Sequence, residues 1–341
     1  MEHELTDIDA VQEAVGRLAG PRDMKVIDFM DEHAIRWLAH ATLGMLTSGT
    51  NASDASQATL AATLAGGPAG FATAVDATML QVPGALVDDP GIMVAGNAFA
   101  SLWLLPGMTE TLRINGRVAD VGPERILVAV EECYLHCGKA LIRSDFWAPD
   151  GVSPAPTEVT DFIAASRLLG LATLSADGRA DLSPKGDPAG ALLREANGHL
   201  WYPDRPGNRR IDSFRNIVDQ PRVAAIALIP GSIHALYVEA GARVSRDPEQ
   251  LAAFAVGDKT PHLVTRLQAT RTDLRSSAAL ERAALWPAAA APTGLRAAEI
   301  FKTHVKLSKE SGLGATLTRA AISIPGAMRR GLESDYEKNL Y

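Results

Sequence analysis

The sequence GDPAG at residues 186–190 decides the fold, because a second version of this motif, GGPAG, occurs at residues 66–70. Around each motif the same landmarks follow in order: an apolar segment with a turn, the motif itself, Leu-x-x-Pro, Pro-Gly, a Leu-led strand with a glycine turn, and a closing segment ending in Trp. The spacing between corresponding landmarks drifts from 120 to 124 to 139 residues. Such drift is typical of an old duplication with insertions rather than of a solenoid. The two copies span about residues 33–147 and 155–286.

Length and composition limit the class of protein. A chain of 341 residues favours two domains, and 47% hydrophobic with 21% charged residues describes a soluble globular protein. A net charge of −7 argues against non-specific binding to nucleic acid or to an anionic membrane. No apolar run approaches the ~20 residues of a membrane-spanning helix. The acidic first 25 residues do not resemble a secretory signal, and the two cysteines do not form a disulfide framework, so we expect a cytoplasmic protein.

Short apolar runs broken by Gly, Pro and Asp predict a compact antiparallel barrel or sandwich in each copy. Helical periodicity predicts helices over residues 4–18, 26–41, 123–144, 158–166 and 262–285. Linkers are expected at residues 148–156 and 288–292. The predicted units are an N-terminal helix at 1–25, a first barrel at 26–150, a second barrel at 151–287 and a helical tail at 288–341.

A group of residues suited to a phosphate lies in the second copy. Ser183, Lys185 and Asp187 occupy alternate positions of a predicted strand and therefore share one face. A Pro/Gly loop then opens a helix near Asn208, and the free N–H groups at a helix start suit an anion. Arginine side chains add fork-shaped donors for phosphate oxygens. The loop and the helix supply Arg205, Arg209, Arg210 and Ser213.

The alternative interpretation of this loop is a solvated basic surface whose arginines pair with Asp204, Asp212 and Asp219. The first copy favours phosphate binding by contrast, because its corresponding segment, residues 83–91, carries no cation. Lys185 also has no counterpart near Gly66. We therefore expect only the second copy to bind a phosphate.

The closing segment of the first copy carries a dense polar motif. If residues 131–144 form a helix, His136, Lys139 and Arg143 share one polar face, with Cys133 and Cys137 on the adjoining one. The second copy lacks the His and the Lys. A metal site is disfavoured, because no fourth ligand is near in sequence. Two other interpretations stay open: a reactive thiol activated by the neighbouring cations, and buried cysteines beside solvated cations.

These motifs together resemble the pyridoxamine 5′-phosphate oxidase-like, FMN-binding split β-barrel proteins. The resemblance covers about residues 25–286 and is carried by four runs: RADLSPKGDPAG at 179–190, PDRPGNRR at 203–210, LRINGR at 112–117 and HCGKALIRS at 136–144. In that family two barrels lie side by side with FMN at their interface. The resemblance implies that the Arg209–Arg210 pair holds the FMN phosphate and that Lys185 lies near the flavin.

The fold class implied by the resemblance is α+β, mainly antiparallel β: two tandem split β-barrels with flanking helices and a helical C-terminal tail. Both barrels lie in one chain, so the chain is an internal pseudo-dimer, and a further homodimer stays open. One composite site would combine the retained halves, whereas the mirror-image site would combine two degenerate ones and hold no cofactor. The residues assigned to cofactor binding are Ser183, Lys185, Asp187, Arg205, Asn208, Arg209, Arg210, Ser213, His136, Lys139 and Arg143, and those assigned to the substrate side are Arg113, Asn115 and Arg117.

The function implied is an FMN-dependent oxidoreductase that acts on a small organic molecule, without nucleic acid, membrane or metal as a partner. No catalytic acid or base is identified, because flavin redox chemistry requires none of a fixed type. Two alternatives are a deazaflavin-dependent reductase and a flavin- or haem-binding protein without turnover. Haem would require an axial His or Cys in a pocket.

Overall fold

The computed structural model describes residues 3–16, 24–51, 58–207, 210–324 and 326–341. Within these ranges the chain forms two antiparallel sheets flanked by helices, which confirms the expected fold class. The helices before and between the sheets are all short. None of the helices in the described ranges is long and apolar enough to span a membrane.

The first barrel is an antiparallel sheet of seven strands. Its strands are β2 (Leu43–Thr50), β3 (Thr59–Gly66), β4 (Thr73–Asp76), β5 (Met79–Pro83), β6 (Ala98–Leu104), β7 (Thr111–Val121) and β8 (Arg125–His136). Their order across the sheet is β3-β2-β6-β7-β8-β5-β4. Two short 3₁₀ turns, Gly84–Leu86 and Pro90–Ile92, connect β5 to β6.

The second barrel repeats this arrangement strand for strand. Its strands are β9 (Leu168–Leu174), β10 (Ala180–Gly186), β11 (Arg194–Ala196), β12 (His199–Pro203), β13 (Arg222–Leu228), β14 (His234–Ser245) and β15 (Val264–Ser276). The order β10-β9-β13-β14-β15-β12-β11 equals that of the first sheet when each strand is replaced by its counterpart. An additional two-residue strand, β1 (Glu4–Leu5), pairs with β14.

Helices cover the ends of the barrels and form the tail. The helices before and between the sheets are α1 (Ile8–Val15), α2 (Glu32–Leu38), α3 (Lys139–Arg143) and α4 (Val159–Ala165). Those within and after the second barrel are α5 (Asp212–Asp219), α6 (Pro248–Ala253) and α7 (Ala278–Ala283). The tail consists of α8 (Ala297–Leu307), α9 (Leu313–Ser323) and α10 (Ala327–Lys338).

The helices predicted over residues 123–144 and 262–285 are wrong. Most of each range is a long strand, β8 or β15, followed by a helix of only five or six residues. Each of these strands pairs on both sides, β8 with β7 and β5, and β15 with β14 and β12. The apolar residues of these segments therefore bury against a sheet at a period of two, and tertiary pairing overrides the apparent helical pattern. The predicted helix over 26–41 shortens to α2.

Three large apolar clusters hold the molecule together: one inside each barrel and one between them. In the cluster between the barrels, Leu43 and Leu102 of the first sheet share a core with Leu182 and Ile226 of the second. All four side chains are fully buried. Because each such side chain contributes about 1.5–3 kcal/mol when buried, this shared core holds the two barrels face to face.

A glycine at the end of β10 allows a very close contact between the barrels. A Cβ atom on Gly186 would lie 2.0 Å from the carbonyl oxygen of Ala140 in α3. At the same point Arg143 Nε donates a hydrogen bond to the carbonyl oxygen of Gly186 at 2.8 Å. The helix of the first barrel therefore packs directly on the main chain of the second.

The mirror-image contact has the same geometry. A Cβ atom on Gly66, at the end of β3, would lie 2.0 Å from the carbonyl oxygen of Ala279 in α7. Arg282 Nε donates to the carbonyl oxygen of Gly66 at 2.9 Å. The two barrels are thus related by an approximate two-fold arrangement, with each closing helix packed on the opposite sheet.

Replacing Gly186 by alanine tests this contact. We expect Gly186→Ala to lower the free energy of unfolding by about 1–3 kcal/mol, because the methyl group overpacks the interface. Gly241→Ala in β14 is the matched control, since a Cβ atom there meets nothing within 4 Å. Urea denaturation measures both variants, and an equal loss in the two would contradict the role of the contact.

Candidate functional site

A cavity of about 680 Å³ lies between the barrels, and both of them supply its walls. This volume falls within the range of small-molecule sites, about 300–1,000 Å³. The first barrel contributes Arg113, His136, Cys137, Lys139 and Arg143 to the lining. The second contributes Ser183, Lys185, Asp187, Asp204, Arg205, Arg210, Ser213 and Phe214, together with a turn at residues 259–262.

The end of β8 and the start of α3 form the first wall. His136 is the last residue of β8, whereas Lys139 and Arg143 lie on α3. The prediction that these three residues share one helical face is therefore wrong. All three nevertheless line the cavity, because a turn at Gly138 connects β8 to α3. Burial, followed by the charges of Arg113 and Lys25, lowers the pKa of His136 well below its usual range. His136 is consequently neutral at pH 7.

A buried polar network joins the two walls at the base of the cavity. The guanidinium of Arg113, 1% exposed, forms an ion pair with Asp181 of the other barrel. Its Nη1 also donates to the Tyr134 hydroxyl at 2.5 Å, and its Nη2 donates to Ser183 Oγ at 3.1 Å. The hydroxyls of Ser183 and Ser213 donate to the Asp181 carboxylate at 3.0 and 3.1 Å. Arg113 thus ties the first barrel to the strand that carries the polar face of the second.

Lys185 is the cation of the second wall that lies on a strand. It occupies β10 two residues after Ser183, as the alternation predicts, and its side chain is half-buried. Its ammonium lies 5.7 Å from the ring centroid of Phe214 and has no hydrogen-bond or ion-pair partner among the described residues. Burial lowers the pKa of Lys185, and the carboxylates of Asp204 and Asp181 oppose this effect in part. An unpaired, partly buried ammonium is costly unless a ligand neutralises it.

Arginines of the Pro/Gly loop also line the cavity. Arg205 donates to Asp187 at 2.8 Å, and Arg210 donates to Asp212 at 2.6 Å. The pairing of Arg210 with Asp212 is the contact that the alternative interpretation expects, yet Arg210 still lines the cavity. Burial raises the pKa of Asp187, and the guanidinium of Arg205 opposes this effect. Asn208 and Arg209, both assigned to the phosphate, lie outside the described residues.

Two of the three residues assigned to the substrate side lie away from the cavity. The Asn115 amide donates to Glu132 at 3.0 Å, and Arg117 pairs with Glu131 at 3.2 Å. A bulge between Asn115 and Gly116 changes the register of β7 with β8 at this point. Only Arg113 of the three lines the cavity.

Several residues that line the cavity were not assigned to the site from the sequence. Asp204 lies beside Lys185, and burial raises the pKa of its carboxyl. The turn after α6 supplies Lys259 and His262, and the end of the tail supplies Asp335, Asn339 and Tyr341. For residues 288–341 the sequence predicts only a helical tail. No local motif marks these tail residues, because Asn339 and Tyr341 contact Lys139 and Lys259, which lie 200 and 82 residues away in sequence.

The two cysteines differ in exposure. Cys133 is fully buried, and this burial raises the pKa of its thiol. Cys137 is partly exposed and lines the cavity. Among the residues that the structure describes, no cluster of three His, Cys, Asp or Glu side chains could hold a metal ion.

The position that mirrors the cavity across the two-fold arrangement differs from it in sequence at two residues of the loop. Arg143 donates to the carbonyl oxygen of Pro206, and its counterpart Arg282 donates to that of Leu86. Two residues after these carbonyls the sequence has Asn208-Arg209 in one copy but Asp88-Asp89 in the other. Carboxylates therefore replace the predicted phosphate donors in the first copy.

These carboxylates are bound by the chain itself. Asp88 accepts hydrogen bonds from Ser277 Oγ at 2.5 Å and from the main-chain N–H of Ala279 at 2.8 Å. Asp89 forms an ion pair with Arg275, the counterpart of His136. The mirror position is thus filled by internal side chains that satisfy one another.

The fold and the cavity together define a tandem split-barrel protein with a candidate ligand site between its barrels. Residues 155–286 match the family model described as pyridoxamine 5′-phosphate oxidase. This range contains all seven strands of the second barrel and its closing helix α7. This match confirms the resemblance to the pyridoxamine 5′-phosphate oxidase family for this half of the chain.

Solved structures match over the length of one barrel. HupZ of Group A Streptococcus is 19% identical with a TM-score of 0.28, over 37% of this chain and 98% of its own. An F420 reductase is 15% identical with a TM-score of 0.27, over 35% and 98%. HutZ, a haem storage protein from Vibrio cholerae, is 18% identical with a TM-score of 0.22, over 33% and 86%. No curated protein matches the sequence.

Removing Arg113 tests the network between the barrels. We expect Arg113→Met to lower the free energy of unfolding by about 3–5 kcal/mol, because Asp181 would be left buried without its counter-charge. Adding Asp181→Leu should restore most of this loss. Arg117→Met on the same strand, whose side chain is 42% exposed, should cost about 0–1 kcal/mol. Chemical denaturation of the four proteins would contradict the network if the double variant were no more stable than Arg113→Met.

The neutral state of His136 predicts a pH dependence of stability. The unfolded chain takes up a proton on His136 as pH falls through about 6.5, whereas the folded chain does not. This histidine therefore makes the free energy of unfolding decrease as pH falls below that value, by at most about 1.4 kcal/mol per pH unit. We expect His136→Gln to flatten the slope between pH 7 and pH 5 in denaturation experiments. Identical slopes for the two proteins would show that His136 accepts a proton in the fold.

Proposed function

We propose that the chain binds one FMN between its barrels and is an oxidoreductase for a small organic molecule. The observation that carries this proposal is the cavity in which cations of the second barrel face the polar wall of the first. The family match of residues 155–286 supports a flavin as the ligand. One cavity with walls from both barrels supports a composite site within a single chain.

Donors that line the cavity fit a phosphate group. Arg205, Arg210 and Ser213 belong to the lining, and the ammonium of Lys185 has no hydrogen-bond or ion-pair partner in the described chain. Guanidinium groups can hold phosphate oxygens with two hydrogen bonds each. We assign Arg205, Asn208, Arg209, Arg210 and Ser213 to the phosphate, and Ser183 and Lys185 to the phosphate-ribityl edge or the ring. Asp187 belongs to the cofactor site through its pair with Arg205.

The first barrel supplies the facing wall. When bound, FMN supplies the hydride chemistry, and the protein contributes binding, orientation and electrostatics. Neutral His136 can hydrogen-bond a ligand there without adding charge, whereas Lys139 and Arg143 add positive charge. Arg113 serves to fix Asp181 and Ser183 rather than to contact a substrate, because its guanidinium is already bonded to both.

The charge reversal at the mirror position supports one cofactor per chain. Asp88 and Asp89 would repel a phosphate at the positions that correspond to Asn208 and Arg209. Complementary loss in the two copies of a duplicated barrel would leave one working site. A deazaflavin or haem in the same cavity is the alternative that the next experiment distinguishes.

Binding of FMN is the direct test. We expect the protein, mixed with FMN and freed of excess by gel filtration, to retain one equivalent per chain, with the absorbance bands of oxidised flavin. Changing Arg209 and Arg210 together to alanine should weaken FMN binding by more than ~100-fold, since each charge-assisted hydrogen bond contributes about 1.5–3 kcal/mol. Fluorescence titration measures this change.

Two controls sharpen the result. Asp88→Asn and Asp89→Asn should leave FMN affinity unchanged. Arg143→Met and Arg282→Met each remove a hydrogen bond to a glycine carbonyl. Since Arg143 lines the cavity and Arg282 does not, only Arg143→Met should reduce FMN affinity. Two equivalents of flavin per chain would contradict the composite site. A Soret band after haem addition, or binding of deazaflavin in place of FMN, would contradict FMN as the cofactor.

A further inference from the structure

Residues 335–341 of the tail lie against the cavity, and we call them the strap. They begin in the last turn of α10 and continue past the end of this helix at Lys338. Asp335, Asn339 and Tyr341 belong to the lining of the cavity. The strap is therefore a third component of the site, besides the two barrels.

The strap neutralises the cations of the first wall. Lys139, whose side chain is 1% exposed, forms an ion pair with Asp335 at 2.9 Å. The same ammonium donates to the carbonyl oxygen of Asn339 at 3.0 Å. Arg143 Nη1 donates to the carbonyl oxygen of Leu340 at 2.8 Å. Both cations that the first barrel presents on α3 are thus bound to acceptors of the strap.

The strap also contacts the second wall through Tyr341. The guanidinium of Arg205 lies over the ring of Tyr341, 5.5 Å from its centroid. Lys259 donates to the main-chain oxygen of Tyr341 at 2.9 Å. Burial and then the carboxylate of Asp187 raise the pKa of the Tyr341 hydroxyl. The strap therefore places an aromatic ring, a carboxylate and main-chain oxygen atoms against cations of the cavity. An aromatic, anionic ligand would bind the same cations.

The attachment of the strap is mainly polar. Tyr336 is its anchor, since its hydroxyl accepts from the Gly138 N–H at 2.9 Å and donates to Glu110 at 2.9 Å. None of the strap residues is fully buried. The buried ammonium of Lys139 requires an acceptor, whereas the Asp335 side chain is 22% exposed, so a ligand that supplies the acceptor can replace Asp335. The strap can therefore be released at a small cost compared with unfolding a barrel.

We propose that the strap is an internal competitor for the anionic ligand of this cavity. Lys139, Arg143 and Arg205 cannot hold both the strap and a phosphate-bearing ligand, so ligand binding displaces residues 335–341. The identity of the ligand as FMN rests on the proposed function, whereas the binding of the strap to these cations does not.

A peptide in trans tests the competition. A variant ending at Ser334 should bind a fluorescent peptide with the sequence of residues 335–341, and Lys139→Gln in that variant should weaken the binding at least tenfold. Stopped-flow mixing with FMN should show association about tenfold faster than for the full chain, and excess peptide should slow it again. Absence of peptide binding to the folded variant would overturn the proposal.

Full-length variants keep the test independent of truncation. Asp335→Asn combined with Tyr341→Ala should increase the FMN association rate and the hydrogen exchange of residues 335–341, whereas Glu333→Gln, on an exposed side chain of α10, should change neither. Unchanged rates and exchange in the double variant would overturn the proposal. If no protein binds FMN but the peptide still binds the shortened variant, the proposed cofactor is wrong and the strap assignment stands.

Discussion

The contact between Gly186 and the main chain of Ala140 is the constraint on which the site depends. A side chain at position 186 would push α3 away from β10, because a Cβ atom would already overlap a carbonyl oxygen. The same helix carries Lys139 and Arg143 to the cavity. Close approach of the two backbones, which only glycine allows here, therefore sets the distance between the two walls.

Apolar and polar interactions have separate roles in joining the barrels. The shared core around Leu102 and Leu182 supplies the free energy of association. The ion pair of Arg113 with Asp181 adds little net stability, since desolvation offsets the attraction of buried charges. What the pair contributes is orientation: it fixes the Ser183 hydroxyl and the strand that presents Lys185. The apolar core holds the barrels, and the charges align them.

Much of the architecture could be predicted from the repeated landmarks, because glycine and proline steps recur at the same points of both sheets, and the order of strands is the same in the two copies. The position of His136 was predicted less well, since β8 pairs on both sides and is a strand despite its helical periodicity. Asn115 and Arg117 alternate with Arg113 in sequence, but a bulge and the length of β7 carry them away from the cavity. The strap could not be predicted, because a contact such as that of Asp335 with Lys139 joins residues that no local pattern relates.

The bonded carboxylates at the mirror position are part of the packing of the chain. Replacing Asp88 alone would leave Ser277 and the N–H of Ala279 without this acceptor, and replacing Asp89 alone would remove a carboxylate that pairs with Arg275 beside Asp273. Each single replacement therefore costs stability. The difference between the two halves is thus maintained by the packing of the protein itself.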